Sequence, residues 1–306
     1  MRWTLLSTIV AAAALGCAAP LRAQDDDGGG LFERDPDEFE TEWIGLRLGG
    51  WYRPLKEMRI RANGRVPGTG VVVGDRFDVE DDLGVGDRVD SDWMFQDWIL
   101  EGEAFVDTRW ISISVWGVAP FEYHGRSSFR RSVSFGGQTF AANVPTESRF
   151  EQWFAGVDVK GNIFNNAFFA LSPLIGARVI GIDWEVRAGQ PVMFRADTSM
   201  LDFPIEVGDF QVIPYPVVGL EVKAGWRQWV EVDAKVAGVW VEYGDIEGGS
   251  VQADAGLTFW PIPWVGLRIG GRYTYFDFEH GDRDDTDYID FDLEYLGGNA
   301  SLILRI

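Results

Sequence analysis

From Trp43 onward the chain alternates. Apolar and polar residues exchange places at every position over stretches of about ten residues, the period of a strand with one face in an apolar medium. The segment from Gln228 to Tyr243 is the clearest, with Val230, Val232, Ala234 and Val236 on one face and Glu231, Asp233 and Lys235 on the other. The last eight residues repeat it, with Ala300, Leu302, Leu304 and Ile306 against Ser301, Ile303 and Arg305. A strand that is apolar outside and partly polar inside suits a lipid-embedded barrel, where no backbone edge is left open to hydrocarbon.

The same reading divides the chain into ten strands. The first begins at Trp43, with Ile44, Leu46, Leu48 and Tyr52 outward and Gly45, Arg47, Gly49 and Arg53 inward. The second runs from Phe95 to Val106, the third from Arg109 to Glu122 and the fourth from Arg149 to Ile163. The fifth follows the Asn162 to Asn166 connection and reaches Val186. There Arg178 and Asp183 have opposite parity, so both face the lumen only if a bulge near Ile180 and Gly181 shifts the register. The sixth covers Ile213 to Ala224, the seventh Gln228 to Tyr243 and the eighth Ser250 to Phe259, ending at a Trp260-Pro-Ile-Pro-Trp264 corner that lacks ladder donors. The ninth runs from Val265 to Asp277 and the tenth from Ile289 to Ile306, with a bend expected at Gly297 and Gly298.

The links after strands two, four, six and eight are tight, and those after one, three, five and nine run to roughly 10 to 40 residues, as short periplasmic turns and long outer loops do. The fold class is therefore all-β, an antiparallel up-and-down transmembrane β-barrel of ten strands, with eight or twelve still open. Trp43, Trp110, Trp226, Trp229, Trp260 and Trp264 fall near one set of strand ends and Trp51, Trp93 and Trp240 near the other, the arrangement of two interfacial girdles. The competing reading is a soluble β-sandwich with core tryptophans, or a soluble periplasmic barrel.

Upstream of the alternation the chain changes character. Arg2, the apolar run from Leu5 to Ala14 and the Leu21-Arg22-Ala23 stretch before Gln24 read as a signal peptide over residues 1–23. Leu15-Gly16 before Cys17 offers a lipoprotein signal as the alternative. Residues 24–42 are acidic and Gly-rich without periodicity, a flexible periplasmic leader, and residues 43–306 form the barrel domain. Cys17 is the only cysteine, so a chain cleaved after Ala23 has no disulfide and no thiolate metal site.

Composition narrows the class further. Aromatic residues make up 14% of the chain and charged residues 25%, and no segment after the signal approaches the roughly 18 to 20 apolar residues of a membrane helix. The net charge is −21, or −23 once Arg2 and Arg22 leave with the signal, which repels phosphates and argues against nucleic-acid binding.

The segment Phe77-Asp-Val-Glu-Asp-Asp-Leu-Gly84, followed by more acidic residues and the first lipid-facing hairpin, resembles a motif of uncharacterised Gram-negative outer-membrane β-barrel proteins, small barrels of the OmpA-like and porin-like kind. The resemblance spans residues 43–306. It implies a bacterial outer-membrane location, a long first loop and a terminal assembly strand, with lipid, lipopolysaccharide and the barrel-assembly machinery as partners. The family's terminal residue is usually aromatic, whereas this chain ends in Ile306. The resemblance implies no activity.

Candidate chemistry is sparse. His124 and His280 are the only histidines, the Asp-Xaa-His arrangement of omptin-type surface hydrolases is missing because Glu279 precedes His280, and no Gly-Xaa-Ser-Xaa-Gly elbow occurs. No catalytic residue and no cofactor are expected. Asp78, Glu80, Asp81, Asp82, Asp87, Asp90 and Asp92 crowd the first loop and Asp282, Asp284, Asp285 and Asp287 the last. Solvated charge is the favoured reading, with Asp81, Asp82, Asp282, Asp284 and Asp285 as Ca²⁺ candidates should the loops meet.

Parity places Arg47, Lys160, Lys223, Lys235, Arg268, Arg272 and Arg305 inside, with Glu101, Glu103, Asp158, Glu221, Glu231, Asp233, Asp254, Asp290, Asp292 and Glu294. A lumen this narrow is plugged by such pairs, and the acidic excess predicts cation preference in any pore that remains. The expected role is structural or surface-interacting through the acidic outer loops. The alternatives are a narrow cation-preferring porin and an omptin-type hydrolase.

Overall fold

In the computed structural model the described residues are 43–52, 55–65, 72–78, 89–90, 98–108, 110–130, 132–135, 138–140, 142–166, 168–188, 205–226, 229–243, 246–281 and 288–306. The proposed signal peptide, the leader and all five Ca²⁺ candidates lie outside them. Ten strands form the wall: β1 Trp43–Tyr52, β2 Trp98–Asp107, β3 Ile111–Ser128, β4 Pro145–Gly161, β5 Phe169–Ala188, β6 Ile205–Trp226, β7 Val230–Tyr243, β8 Ile246–Ile262, β9 Val265–His280 and β10 Ile289–Arg305. Each is antiparallel to the next, and β1 pairs with β10 from Gly45↔Arg305 to Tyr52↔Gly298, closing a ten-stranded barrel. Closure matters because it leaves no continuous edge to aggregate or to face lipid.

Loop segments complete the wall above β1 and β2. The strand Leu55–Ala62 continues the line of β1 along β10, from Tyr295↔Leu55 to Ile289↔Ala62, and Arg76–Asp78 pairs with it in turn. On the far side Val89–Asp90 pairs with Tyr123 and Glu122 of β3. The turns β2–β3, β4–β5, β6–β7 and β8–β9 lie at the lower end, together with Trp43 and Ile306.

A broad outer belt is apolar. Ile44, Leu48, Leu100, Ile113, Val157, Ile175, Leu220, Val232, Leu257, Ile269 and Leu302 are all exposed on the barrel's outside. In water these aliphatic side chains would form an apolar surface without the gain of about 25 cal/mol per Å² that removal from water brings, a gain that hydrocarbon supplies. Trp110, Trp229 and Trp264 stand exposed along the lower rim and Trp240 near the upper. Tyr52 and Trp98 join the upper rim, their ring centroids 5.3 Å apart. These are the girdles of a transmembrane barrel.

Three tryptophans assigned to the girdles do not belong there. Trp51 is buried inside the barrel against Tyr295, ring centroids 5.7 Å apart, and Trp260 is buried with Phe105 and Ile303 at the lower end. Trp43 turns inward too, toward the Arg305 guanidinium. Each shares parity with an inward charge on its own strand, Arg47 for Trp43 and Trp51 and Asp254 for Trp260, and strand parity decides direction more strongly than height. Trp93 lies outside the described residues.

Above the belt the two faces exchange character while the register runs on. In β10, Leu302 and Leu304 face out and Ser301 and Asn299 face in. Higher up, the same outward parity carries Glu294, Asp292 and Asp290, and the inward parity carries Tyr295, Leu293 and Phe291, all three fully buried. The β9–β10 ladder is unbroken from Val265↔Leu304 to His280↔Ile289. β5 behaves likewise: Ile180, Ile182, Trp184 and Val186 are buried inside, and Asp183, Glu185 and Arg187 lie outside. No bulge interrupts β5, so Arg178 faces the lumen and Asp183 does not. The bulge lies in β3 instead, between the pairs Gln152↔Phe121 and Phe154↔Val118. It puts Phe121 and Tyr123 inside and Glu122 and His124 outside. At the lower corner β8 runs on to Ile262, past Pro261, with its ladder shifted between Phe259 and Ile262.

Candidate functional site

The lumen has two storeys. The lower, at the depth of the apolar belt, is ionic. Arg268 is at its centre, donating from Nε and Nη2 to Asp233 at 2.9 and 2.6 Å, from Nη2 to Asp254 and from Nη1 to Asn299 at 2.9 Å. Arg272 donates to Asp254 at 2.9 Å and to Glu101 at 2.6 Å, and its guanidinium lies 5.4 Å from the Trp51 ring centroid. Asn299 also donates to Asp254 at 3.1 Å, so this carboxylate is held from three sides.

Smaller groups surround that centre. Arg178 is buried against Asp158 and stacks on Trp116 at 4.8 Å, while Lys235 reaches the other Asp158 oxygen at 3.5 Å. Lys160 and Lys223 clasp Glu221 at 3.2 and 3.3 Å, and Arg47 pairs with Glu103 at 2.9 Å. Near the lower mouth Arg305 sits 3.6 Å over the Trp260 ring and 3.5 Å from Glu231, which also accepts from the Trp260 indole at 3.3 Å. Ion pairs taken out of water repay their desolvation only when each charge has several partners, which a shared network supplies.

Parity placed most of these residues. Of the sequence candidates, Asp290, Asp292 and Glu294 are the exceptions: they face out above the belt, because β10 keeps its register through Gly297 and Gly298 instead of flipping there. They join an outer cluster in which Arg76 approaches Asp292 at 3.1 Å and Asp290 at 3.6 Å, Arg59 lies 3.7 Å from Asp292, and Lys56 reaches Glu294 at 2.7 Å. Asp277 lies opposite Asp292 and Glu279 opposite Asp290. Burial and then the charges of Asp292, Asp290 and Glu279 push the Asp277 carboxyl above its ordinary value.

One inward charge escaped the sequence reading, Asp107, at a strand end where parity is easily lost, and Arg178, expected in the lumen together with Asp183 across a bulge, faces it without one. With them included, bases and acids are equal in number in the lower lumen among the described residues. The acidic excess behind the expected cation preference came from the three residues that face out. Among these groups lies a polar cavity of about 60 Å³ lined by Arg47, Glu103, Lys160, Glu221 and Lys235, room for a few waters.

The upper storey is apolar. Phe121, Phe154, Tyr295, Phe150, Phe276, Phe291, Met58 and Ile60 fill the barrel with one buried core, to which the loop residues Phe129, Val133 and Phe140 add a lid. Phe154 meets Tyr295 edge-on at 5.6 Å and stacks on Phe121 at 6.1 Å. The Tyr295 hydroxyl donates to Gln152, a polar contact inside this core.

Neither histidine enters the lumen network. His124 lies on the outer face with Nε2 3.0 Å from Glu122, and His280 ends β9 in register with Ile289. Among the described residues no group of three or more histidine, cysteine or acidic side chains is arranged to hold a metal ion.

No protein-family profile matches the chain, and no curated protein matches it. Solved structures similar to it include Ail, the attachment invasion locus protein of Yersinia pestis (10% identity over 85% of this chain and 99% of that one, TM-score 0.27). Others are the Pseudomonas putida toluene transporter TodX (7% identity, 87% and 90%, TM-score 0.32) and a Pseudomonas aeruginosa FadL homologue (11%, 87% and 89%, TM-score 0.21). At TM-scores this low, the assignment to closed antiparallel barrels rests on the chain's own hydrogen-bonded register.

Proposed function

We propose that the chain is an integral barrel of a bacterial outer membrane, with a structural or surface-interaction role carried by its outer end, and that it neither conducts solutes in its resting form nor catalyses a reaction. The observation behind this reading is the two-storey lumen: a salt-bridged lower half in series with an apolar upper half, so an ion crossing it would leave a charged network only to meet hydrocarbon side chains. The outer face of the upper storey is studded with paired charges at the level of lipopolysaccharide headgroups, the natural contact for such a surface.

Planar-bilayer recording from the folded full chain tests it. A silent, inserted, heat-modifiable barrel is the expected result. Steady conductance steps overturn it in favour of a narrow porin.

A further inference from the structure

One seam of the wall stops halfway up. β6 and β7 are paired from Trp226↔Val230 to Val218↔Gly238 and no higher, although β6 continues to Ile205 and β7 to Tyr243. Each keeps its other neighbour throughout, β6 with β5 to Ala188↔Ile205 and β7 with β8 to Tyr243↔Ile246. The two strands therefore part above Gly238, and a cleft opens in the barrel's side.

Pro214 and Pro216 explain the parting. Two residues apart on a strand, they withhold backbone donors from the same neighbour. The ladder to β5 passes through both without a shift, so the neighbour deprived is β7, whose rungs end two residues below Pro216. The same prolines make the β6 edge a poor template for an added strand of any other chain.

The cleft lies at the outer part of the apolar belt. Val212 and Val218 flank it on β6 and Trp240 on β7, exposed by 47, 63 and 59%. Its floor is Tyr215 and Val239, turned into the barrel and half-buried. Tyr215 reaches across the parting, its ring 5.5 Å from Phe276 of β9 and its hydroxyl sharing a hydrogen bond with Ser250 of β8. The floor is apolar, and among the described residues no strand pairs with this side of the β7 edge above Gly238, at the level of the Trp240 girdle. An unanswered polar group there costs several kcal/mol. An amphiphile fits both demands, with hydrocarbon against the floor and ester or hydroxyl oxygens beside the β7 edge.

We propose that an acyl chain of an outer-leaflet lipid occupies the β6–β7 cleft, lying over Tyr215 and Val239. The proposal rests on the membrane reading above.

It is tested by replacing Tyr215 with a benzophenone-bearing phenylalanine in the full chain, produced in a Gram-negative outer membrane, and irradiating. Companion substitutions go at Val232, on the lipid face, and at Phe121, inside on β3. Lipid adducts at position 215 of the same order as at 232, with background at 121, are expected. Position 215 behaving like 121 while 232 reacts overturns the cleft proposal alone, as does cross-linking of 215 to a second copy of the chain. Failure at 232 overturns the membrane reading instead. If the Tyr215 substitution prevents the heat-modifiable fold, the same substitution at Val239 is read by the same criteria.

Discussion

Gly256 lies directly beneath the guanidinium of Arg268: a β-carbon at position 256 would stand 2.4 Å from Arg268 Cζ. The glycine is what lets the arginine lie flat across β8 toward both Asp233 and Asp254. Alanine in place of a strand glycine ordinarily stabilises by roughly 0.5–1 kcal/mol. Here Gly256→Ala should destabilise by about 1–3 kcal/mol, the cost of overpacking, read from urea midpoints in lipid vesicles. An unchanged or raised midpoint would show that Arg268 has room to move.

Arg268 itself should be costlier to lose than to replace together with its partner. Arg268→Met leaves Asp233 without its bidentate cation and is expected to cost about 3–5 kcal/mol. Adding Asp233→Leu removes the stranded charge and should recover most of that loss. Additive losses in this double-mutant cycle would mean that water already screens the pair.

The barrier to ions is assigned to the upper storey, so Phe154→Ala combined with Tyr295→Ala should produce conductance events where the unaltered barrel is silent. Arg272→Ala, which loosens only the ionic storey, should stay silent. The reverse pattern places the constriction in the salt-bridged network.

Asp277 gives the outer end a pH dependence of definite sign. Its carboxyl titrates above its unfolded value because burial and then Asp292, Asp290 and Glu279 disfavour the charged form. The native state therefore holds this proton longer than the unfolded chain does. Its contribution is fully present below the unfolded pKa and is lost as pH rises through the folded one. Hydrogen exchange of the upper β9 and β10 amides should show more protection in the mildly acidic range than at neutral pH, and Asp277→Asn should flatten that difference. A slope unchanged by the substitution removes Asp277 as its source.

The strand count, the order of tight and long connections and most inward charges of the lower lumen were legible from alternation, because a two-residue period is written directly in the sequence. What was misread followed from supposing one polarity for the whole height of each strand. Asp290, Asp292 and Glu294 were taken inward along with Arg305, although the two sets have opposite parity and only a bend at Gly297 and Gly298 was expected between them. Their shared parity with Leu302 and Leu304 was the available signal. The bulge expected at Ile180 had the same origin, since Asp183 was assumed to belong with Arg178. The parting of β6 from β7 was also written in the chain, as Pro214 and Pro216, but a proline pair says only that a neighbour loses donors, and which neighbour is settled by the three-dimensional pairing.

The exchange of faces along β5 and β10 also sets how deep the protein floats. Sliding the barrel outward by a single two-residue step would lift Leu296 toward water, and sliding it inward would draw Glu294 and its Lys56 partner into hydrocarbon. Either displacement is penalised, so the chain carries its own waterline, inscribed at the level where the outward side chains turn from aliphatic to charged.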